Sequence, residues 1–93
     1  MVVITLTTDF GSLYPASMKG VILGINPDAT IVDVTHSISP ANIESGAFAL
    51  YSVVRYFSSG TIHVAVIDPG VGTDRKAIVV HAGGHYFVGP DNG

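Results

Sequence analysis

Three short runs of β-branched and apolar residues, each closing on a polar side chain, constrain this chain more than any other feature. They are Val2 to Thr7, followed by Asp9; Thr30 to Val34, followed by His36; and Ile62 to Ile67, followed directly by Asp68. Such runs, apolar on both faces, read as strands buried in the middle of a sheet. Between them lie segments with helical spacing. From about Pro15, the residues Met18, Val21, Ile22 and Ile25 recur at three, four and seven, and Asn26-Pro27-Asp28 stops the helix. Ser39 as N-cap and Pro40 at the first helical position predict a second helix, with Ile43, Ala47, Leu50, Tyr51 and Val54 as its apolar stripe to about Tyr56. Lys76 to His81 and His85 to Val88, joined by Ala82-Gly83-Gly84, predict a closing hairpin.

The order β-α-β-α-β-β-β predicts an α/β layer fold with a largely parallel sheet and right-handed crossovers. Parallel strands put their C-terminal tips on one edge. Asp9, His36 and Asp68 therefore converge by topology, although they come from separate segments. The third tip is the richest. Asp68 is followed by a turn of Pro69, Gly70, Val71 and Gly72, and then by Arg75. A strand that delivers a carboxylate to such a loop, with an arginine near it, is a common way for an open α/β sheet to build a site. Asp68 and Asp9 are also well suited to plain turn roles, and a lone Arg is most often a solvated charge.

Composition narrows the function class. Four Lys plus Arg and a formal charge of -3 argue against a nucleic-acid face. Without cysteine there is no disulfide framework and no thiolate zinc site. His36, His63, His81 and His85 lack metal-ligand spacing, so no metal is expected. His36 reads as a structural histidine satisfied by hydrogen bonds. Gly70-Val71-Gly72-Thr73 lacks the helix start that a phosphate cradle needs. Tyr51, Tyr56 and Phe57 read as core or interface. No run approaches a membrane span, and the N-terminus reads as a strand, not a leader; a cytoplasmic location is the expectation. Charged residues make up 12% of the chain, where about 25% is ordinary. That shortage predicts a surface covered by other subunits or by the rest of a longer protein. The turn sequence Val88 to Gly93 favours the latter, with residues 1–93 as one incomplete domain of a longer protein.

Several spaced motifs make the chain recognisable. Thr7-Thr8-Asp9-Phe10-Gly11, Met18-Lys19-Gly20-Val21-Ile22, Ile25-Asn26-Pro27, Ile31-Val32-Asp33-Val34-Thr35-His36, Gly46-Ala47-Phe48, Val66-Ile67-Asp68-Pro69-Gly70-Val71-Gly72-Thr73 and Gly89-Pro90-Asp91-Asn92-Gly93 occur in one order. In that order they resemble the N-terminal domain of the S-adenosyl-L-methionine hydroxide adenosyltransferases, relatives of the fluorinase and chlorinase enzymes. The resemblance runs from residue 3 to residue 93. It implies a fluorinase-like N-terminal fold and attack of water or hydroxide on C5′ of S-adenosyl-L-methionine, giving adenosine and methionine. It implies no cofactor, a homotrimer, and a second domain and a catalytic histidine beyond residue 93. By the same resemblance, Asp68 and Arg75 are two members of an Asp–Arg–His set that positions the water, and Asp9 holds the ribose hydroxyls. Halogenating relatives carry Tyr at the position of Asp68 and Thr at that of Val71, so the resemblance favours hydroxide over halide. A carboxylate beside a guanidinium stays ionised. Asp68 is thus expected to orient water more than to take its proton, with Arg75 stabilising developing hydroxide. The other function class is a non-catalytic module for adenosine binding or subunit association, to which the low charge content also fits.

Overall fold

The computed structural model describes residues 2–9, 11, 14–39, 42–67 and 77–90. The elements are β1 (Val3–Thr8), α1 (Tyr14–Ile25), β2 (Thr30–Thr35), α2 (Ile43–Val54), β3 (Ile62–Val66), β4 (Ala77–Ala82) and β5 (His85–Pro90). Their order is the one the sequence predicts. Five strands form one sheet in the order β2-β1-β3-β5-β4. β1 runs parallel to both β2 and β3, β3 is parallel to β5, and only β4 is antiparallel, pairing with β5. The fold is a mixed α/β layer structure with a mostly parallel sheet.

Register explains what each strand face does. Thr5 lies opposite His63 and Thr7 opposite Ala65, while Leu6 and Thr8 lie opposite Val64 and Val66. Side chains alternate along a strand, so Thr5, Thr7, His63, Ala65 and Ile67 share one face. That face carries α2: a Cβ added at Gly46 would stand 2.6 Å from Ile67 Cδ1. The absence of a side chain at Gly46 is what lets α2 approach the sheet. β1, an interior strand between β2 and β3, is buried through Thr5, Leu6, Thr7 and Thr8, and Ile67, just past the end of β3, is buried as well.

Among the described residues the two helices leave much of their apolar surface exposed. In α1, only Met18 and Ile22 of the predicted stripe are partly withdrawn from solvent, whereas Val21 and Ile25 are 64% and 82% exposed. In α2, Ile43, Ala47 and Leu50 line a cleft of about 300 Å³ against β3, β5 and β4, but Tyr51 points outward and is 81% exposed. Tyr56 is exposed as well, so neither tyrosine belongs to this chain's core; Phe57 is half-buried against the His63 ring. The start of α2 also differs. Its N-cap is Asn42, whose Oδ1 accepts the Ser45 N–H at 3.1 Å, while Ser39 closes the preceding turn by accepting the Asn42 N–H at 3.0 Å. Asn caps as well as Ser, and here it is the residue whose position matches the first free N–H. Pro40 lies outside the described residues.

The hairpin turn is tighter than predicted. Ala82 still pairs with His85, leaving Gly83 and Gly84 as a two-residue loop with φ of 59° and 81°. Two successive positive φ values are the pattern of a turn whose twist matches the strands, and glycine supplies them without strain. β4 forms the sheet edge and is exposed along its whole length, Ile78, Val79 and Val80 included.

Candidate functional site

The strand order creates a crevice. From β1 the chain passes through α1 to β2 on one side, and from β2 it crosses through α2 to β3 on the other side of β1. Ligand sites in open α/β sheets form outside the C-terminal ends of the strands where the winding reverses in this way. Here that point lies between the tips of β1 and β3. Thr8 and Val66 are opposite each other at the end of the shared ladder, and the Asp9 N–H reaches the Val66 carbonyl at 3.4 Å. Asp9 thus stands on the β1 side of the crevice, half-exposed. On the β3 side the last described residue is the buried Ile67. Asp68 and Arg75 lie outside the described residues.

His36, at the tip of β2, is brought to Asp9's immediate neighbours. Its Nδ1 is 2.7 Å from Thr8 Oγ1, and its carbonyl accepts the Gly11 N–H at 3.0 Å. Gly11 has a φ of 76°, which folds the chain back onto β2 just past Asp9. The other side of the imidazole, Nε2, lies 2.7 Å from Asp33 Oδ1, and Asp33 Oδ2 accepts from Lys19 Nζ of α1 at 2.6 Å. The hydrogen bond from His36, and after it that from Lys19, hold the Asp33 carboxyl below the usual carboxylate range. An ionised carboxylate has no proton to give. In the neutral ring the proton therefore sits on His36 Nε2, and Nδ1 accepts from the Thr8 hydroxyl.

A backbone irregularity makes this chain of contacts possible. Leu6 pairs with Asp33, but Thr7 pairs with Thr35, so β2 carries an extra residue between them. In a regular strand, residues three apart point to opposite faces. The bulge at Val34 shifts the phase, and Asp33 and His36 meet on one face. Sequence reasoning put His36 at the tip and read it as satisfied by hydrogen bonds, as it is here. It missed Asp33 and Lys19. The available signal was a lone carboxylate inside the β-branched run Ile31-Val32-Asp33-Val34, in a chain with few charges.

A second polar cluster lies deeper, on the α2 face of the sheet. His63, fully buried, bridges Thr5 Oγ1 at 2.8 Å and His85 Nδ1 at 3.1 Å, and stacks on Phe87 with ring centroids 5.2 Å apart. Burial, and secondarily the charge of His85, push the His63 imidazole below its ordinary range. These side chains lie near the N-terminal ends of β1 and β3, away from the crevice, and belong to the packing. Among the described residues, no group of three or more His, Cys, Asp or Glu side chains gathers as a metal site. No helix among them is long and apolar enough to cross a membrane.

Comparisons with known proteins agree on one family. Residues 4–93 match the SAM hydroxide adenosyltransferase N-terminal domain. The chain is 52% identical over 98 aligned positions to an (R)-S-adenosyl-L-methionine hydrolase of Methanocaldococcus jannaschii, covering 98% of this chain and 37% of that protein. A fluorinase of Actinopolyspora mzabensis is 37% identical over 65 positions, which cover 70% of this chain and 22% of that protein. The crystal structure of an uncharacterized conserved protein from Thermotoga maritima superposes with a TM-score of 0.87 at 43% identity, over 100% of this chain and 36% of that one. The chain thus spans little more than a third of the length of the hydrolase it matches.

Proposed function

This chain belongs to the S-adenosyl-L-methionine hydroxide adenosyltransferase family, as its N-terminal domain, and from that premise we propose that the whole protein hydrolyses S-adenosyl-L-methionine to adenosine and L-methionine. The observation that carries the proposal is the crevice between the tips of β1 and β3, with Asp9 on one side, in a chain 52% identical to a hydrolase of that substrate.

In the proposed step, the oxygen of water or hydroxide forms a bond to C5′. The C5′–S bond breaks, and its electron pair stays on sulfur, which leaves as the neutral thioether of methionine. The water proton passes to solvent. The substrate carries its own activation, since its sulfonium is already a good leaving group, and the reaction uses no further cofactor. Attack by hydroxide on a cation disperses charge, so a site with fixed dipoles in place of bulk water favours it. Asp68 and Arg75 orient the attacking water and stabilise developing hydroxide, and Asp9 accepts the ribose hydroxyl protons with its carboxylate. Asp68, in place of the tyrosine of halogenating relatives, suits a hydroxide nucleophile.

We also assign the working form to a cytoplasmic homotrimer. Two features support association: charged residues are only 12% of the chain, and Phe48, Tyr51 and Val79 stand exposed on α2 and β4. Incubating the full-length protein with S-adenosyl-L-methionine and resolving the products by chromatography tests the function. Adenosine and methionine in equal amounts are expected. Folded protein that binds adenosine without producing it above a buffer blank points instead to a non-catalytic adenosine-binding module.

A further inference from the structure

We propose that His36, held by Asp33, is a positioning residue that sets the Asp9 carboxylate for the ribose and so governs recognition of the ribose hydroxyls. The proposal rests on the reading of Asp9 as the ribose-binding carboxylate.

The geometry is a clamp on both sides of Asp9. Before it, the Thr8 hydroxyl is bonded to His36 Nδ1 at 2.7 Å; beyond it, the Gly11 N–H is bonded to the His36 carbonyl at 3.0 Å. The residue just past β2 therefore bonds to the chain at positions 8 and 11. The contacts differ in kind. The carbonyl bond is available to any residue at position 36, but the bond to Thr8 requires a side-chain hydrogen-bonding group at the place of Nδ1. The ring is not free to turn away, because Asp33 fixes its far nitrogen at 2.7 Å, and Lys19 fixes Asp33 at 2.6 Å. The series Lys19–Asp33–His36–Thr8 thus runs from α1 across β2 to the β1 tip.

Burial argues that the series acts through Thr8. Thr8 is fully buried, so its hydroxyl is not a nucleophile facing a substrate. Its role is local: rotation at Thr8 would carry Asp9 with it. A carboxylate that must meet two vicinal hydroxyls needs its plane fixed, since a displacement of the order of an ångström costs much of the benefit of orientation. Asp33 and Lys19 lie toward solvent, with side-chain exposures of 41% and 36%, so the outer end of the series can be altered without opening the core.

The test uses full-length protein and two ligands, adenosine and 2′,3′-dideoxyadenosine, which differ only in the ribose hydroxyls. Dissociation constants from calorimetry give a preference ratio. Wild-type protein is expected to prefer adenosine strongly, and Asp9→Ala to lose the preference. Thr8→Val, which keeps the shape and removes the hydroxyl, should lower the ratio at least threefold, and Thr8→Ser should restore it. Asp33→Ala, at the exposed end, should lower the ratio with little change in melting temperature. It keeps the test open if Thr8→Val fails to fold. A purely structural role would weaken both ligands alike or lower stability alone, leaving the ratio intact. Asp33→Ala and folded Thr8→Val with the wild-type ratio would overturn the clamp while leaving the Asp9 reading in place. A wild-type protein without preference would overturn the Asp9 reading itself, and the clamp with it.

Discussion

His63 Nε2 lies 3.1 Å from His85 Nδ1 in the interior of the sheet's α2 face, with His63 completely buried and bonded on its other side to Thr5. Two imidazoles that share a hydrogen bond cannot both be charged at low cost. Desolvation first, and His85 second, hold the His63 pKa below its ordinary value. The unfolded chain therefore binds this proton more readily than the folded one. Stability from this site is complete above the ordinary imidazole pKa of about 6.5 and is lost as pH falls below it.

The melting temperature should accordingly be flat above neutrality and fall on acidification toward about pH 5, in the window set by the unfolded imidazole. His63→Gln, which can bond to Thr5 and His85 without titrating, should cost about 1–3 kcal/mol at neutral pH. It should also flatten the acid limb. An unchanged acid limb in that variant would assign the titration elsewhere.

Gly46 should tolerate no side chain. A Cβ there meets Ile67 Cδ1 at 2.6 Å and Cγ1 at 2.8 Å, so Gly46→Ala must lift α2 or push aside the residue that precedes Asp68. Overpacking of this kind costs about 1–3 kcal/mol. Gly24 of α1 has nothing within 4 Å of its added Cβ, and Gly24→Ala should stabilise by about 0.5–1 kcal/mol through helix propensity. Denaturant titration distinguishes the two. Ile67→Val, which removes the clashing methyl, should recover part of the Gly46→Ala loss.

Thr7 Oγ1 is buried and has no hydrogen-bond partner among the described residues. Replacing an unsatisfied hydroxyl by a methyl of the same shape removes a desolvation penalty of about 1–3 kcal/mol. Thr7→Val should therefore be neutral or stabilising in thermal melts, whereas Thr8→Val, one residue on, should destabilise by breaking the bond to His36.

The two proposed site carboxylates should separate kinetically. Asp68→Ala is expected to lower kcat by at least about 100-fold with a small change in adenosine affinity, as befits a group that acts on the nucleophile. Asp9→Ala should raise KM and weaken adenosine binding together, because the ribose is common to substrate and product. Steady-state kinetics with calorimetry decides; the opposite pattern would exchange the roles.

Much of the fold was legible because its signals are local. β-branched runs marked β1, β2 and β3, and the alternation with helical spacing led to the parallel order and so to the crevice at Asp9. What the residues did not reveal depends on surroundings. Helical spacing marked α1 through Val21 and Ile25 and α2 through Tyr51, but spacing does not say what covers a helix face, and among the described residues these three stand exposed. Asn42 displaced Ser39 as cap because both residues cap well and only the backbone selects between them. The pairing of Asp33 with His36 needed a bulge, and an extra residue in a ladder leaves no mark in composition. His63 and His85 are 22 residues apart, and only strand pairing brings their rings together. The roles assigned to Asp68 and Arg75 came from motif resemblance, not from local physics.

The most direct measurement of the central claim follows oxygen. The full-length protein is given S-adenosyl-L-methionine in heavy-oxygen water, and the products are weighed by mass spectrometry. Attack at C5′ predicts one heavy oxygen in adenosine, at the 5′-hydroxyl, and none in methionine. Methylthioadenosine together with labelled homoserine would mean that water attacks the amino-acid side of the sulfonium, and unlabelled adenosine would mean that the new oxygen does not come from water; either result contradicts the account.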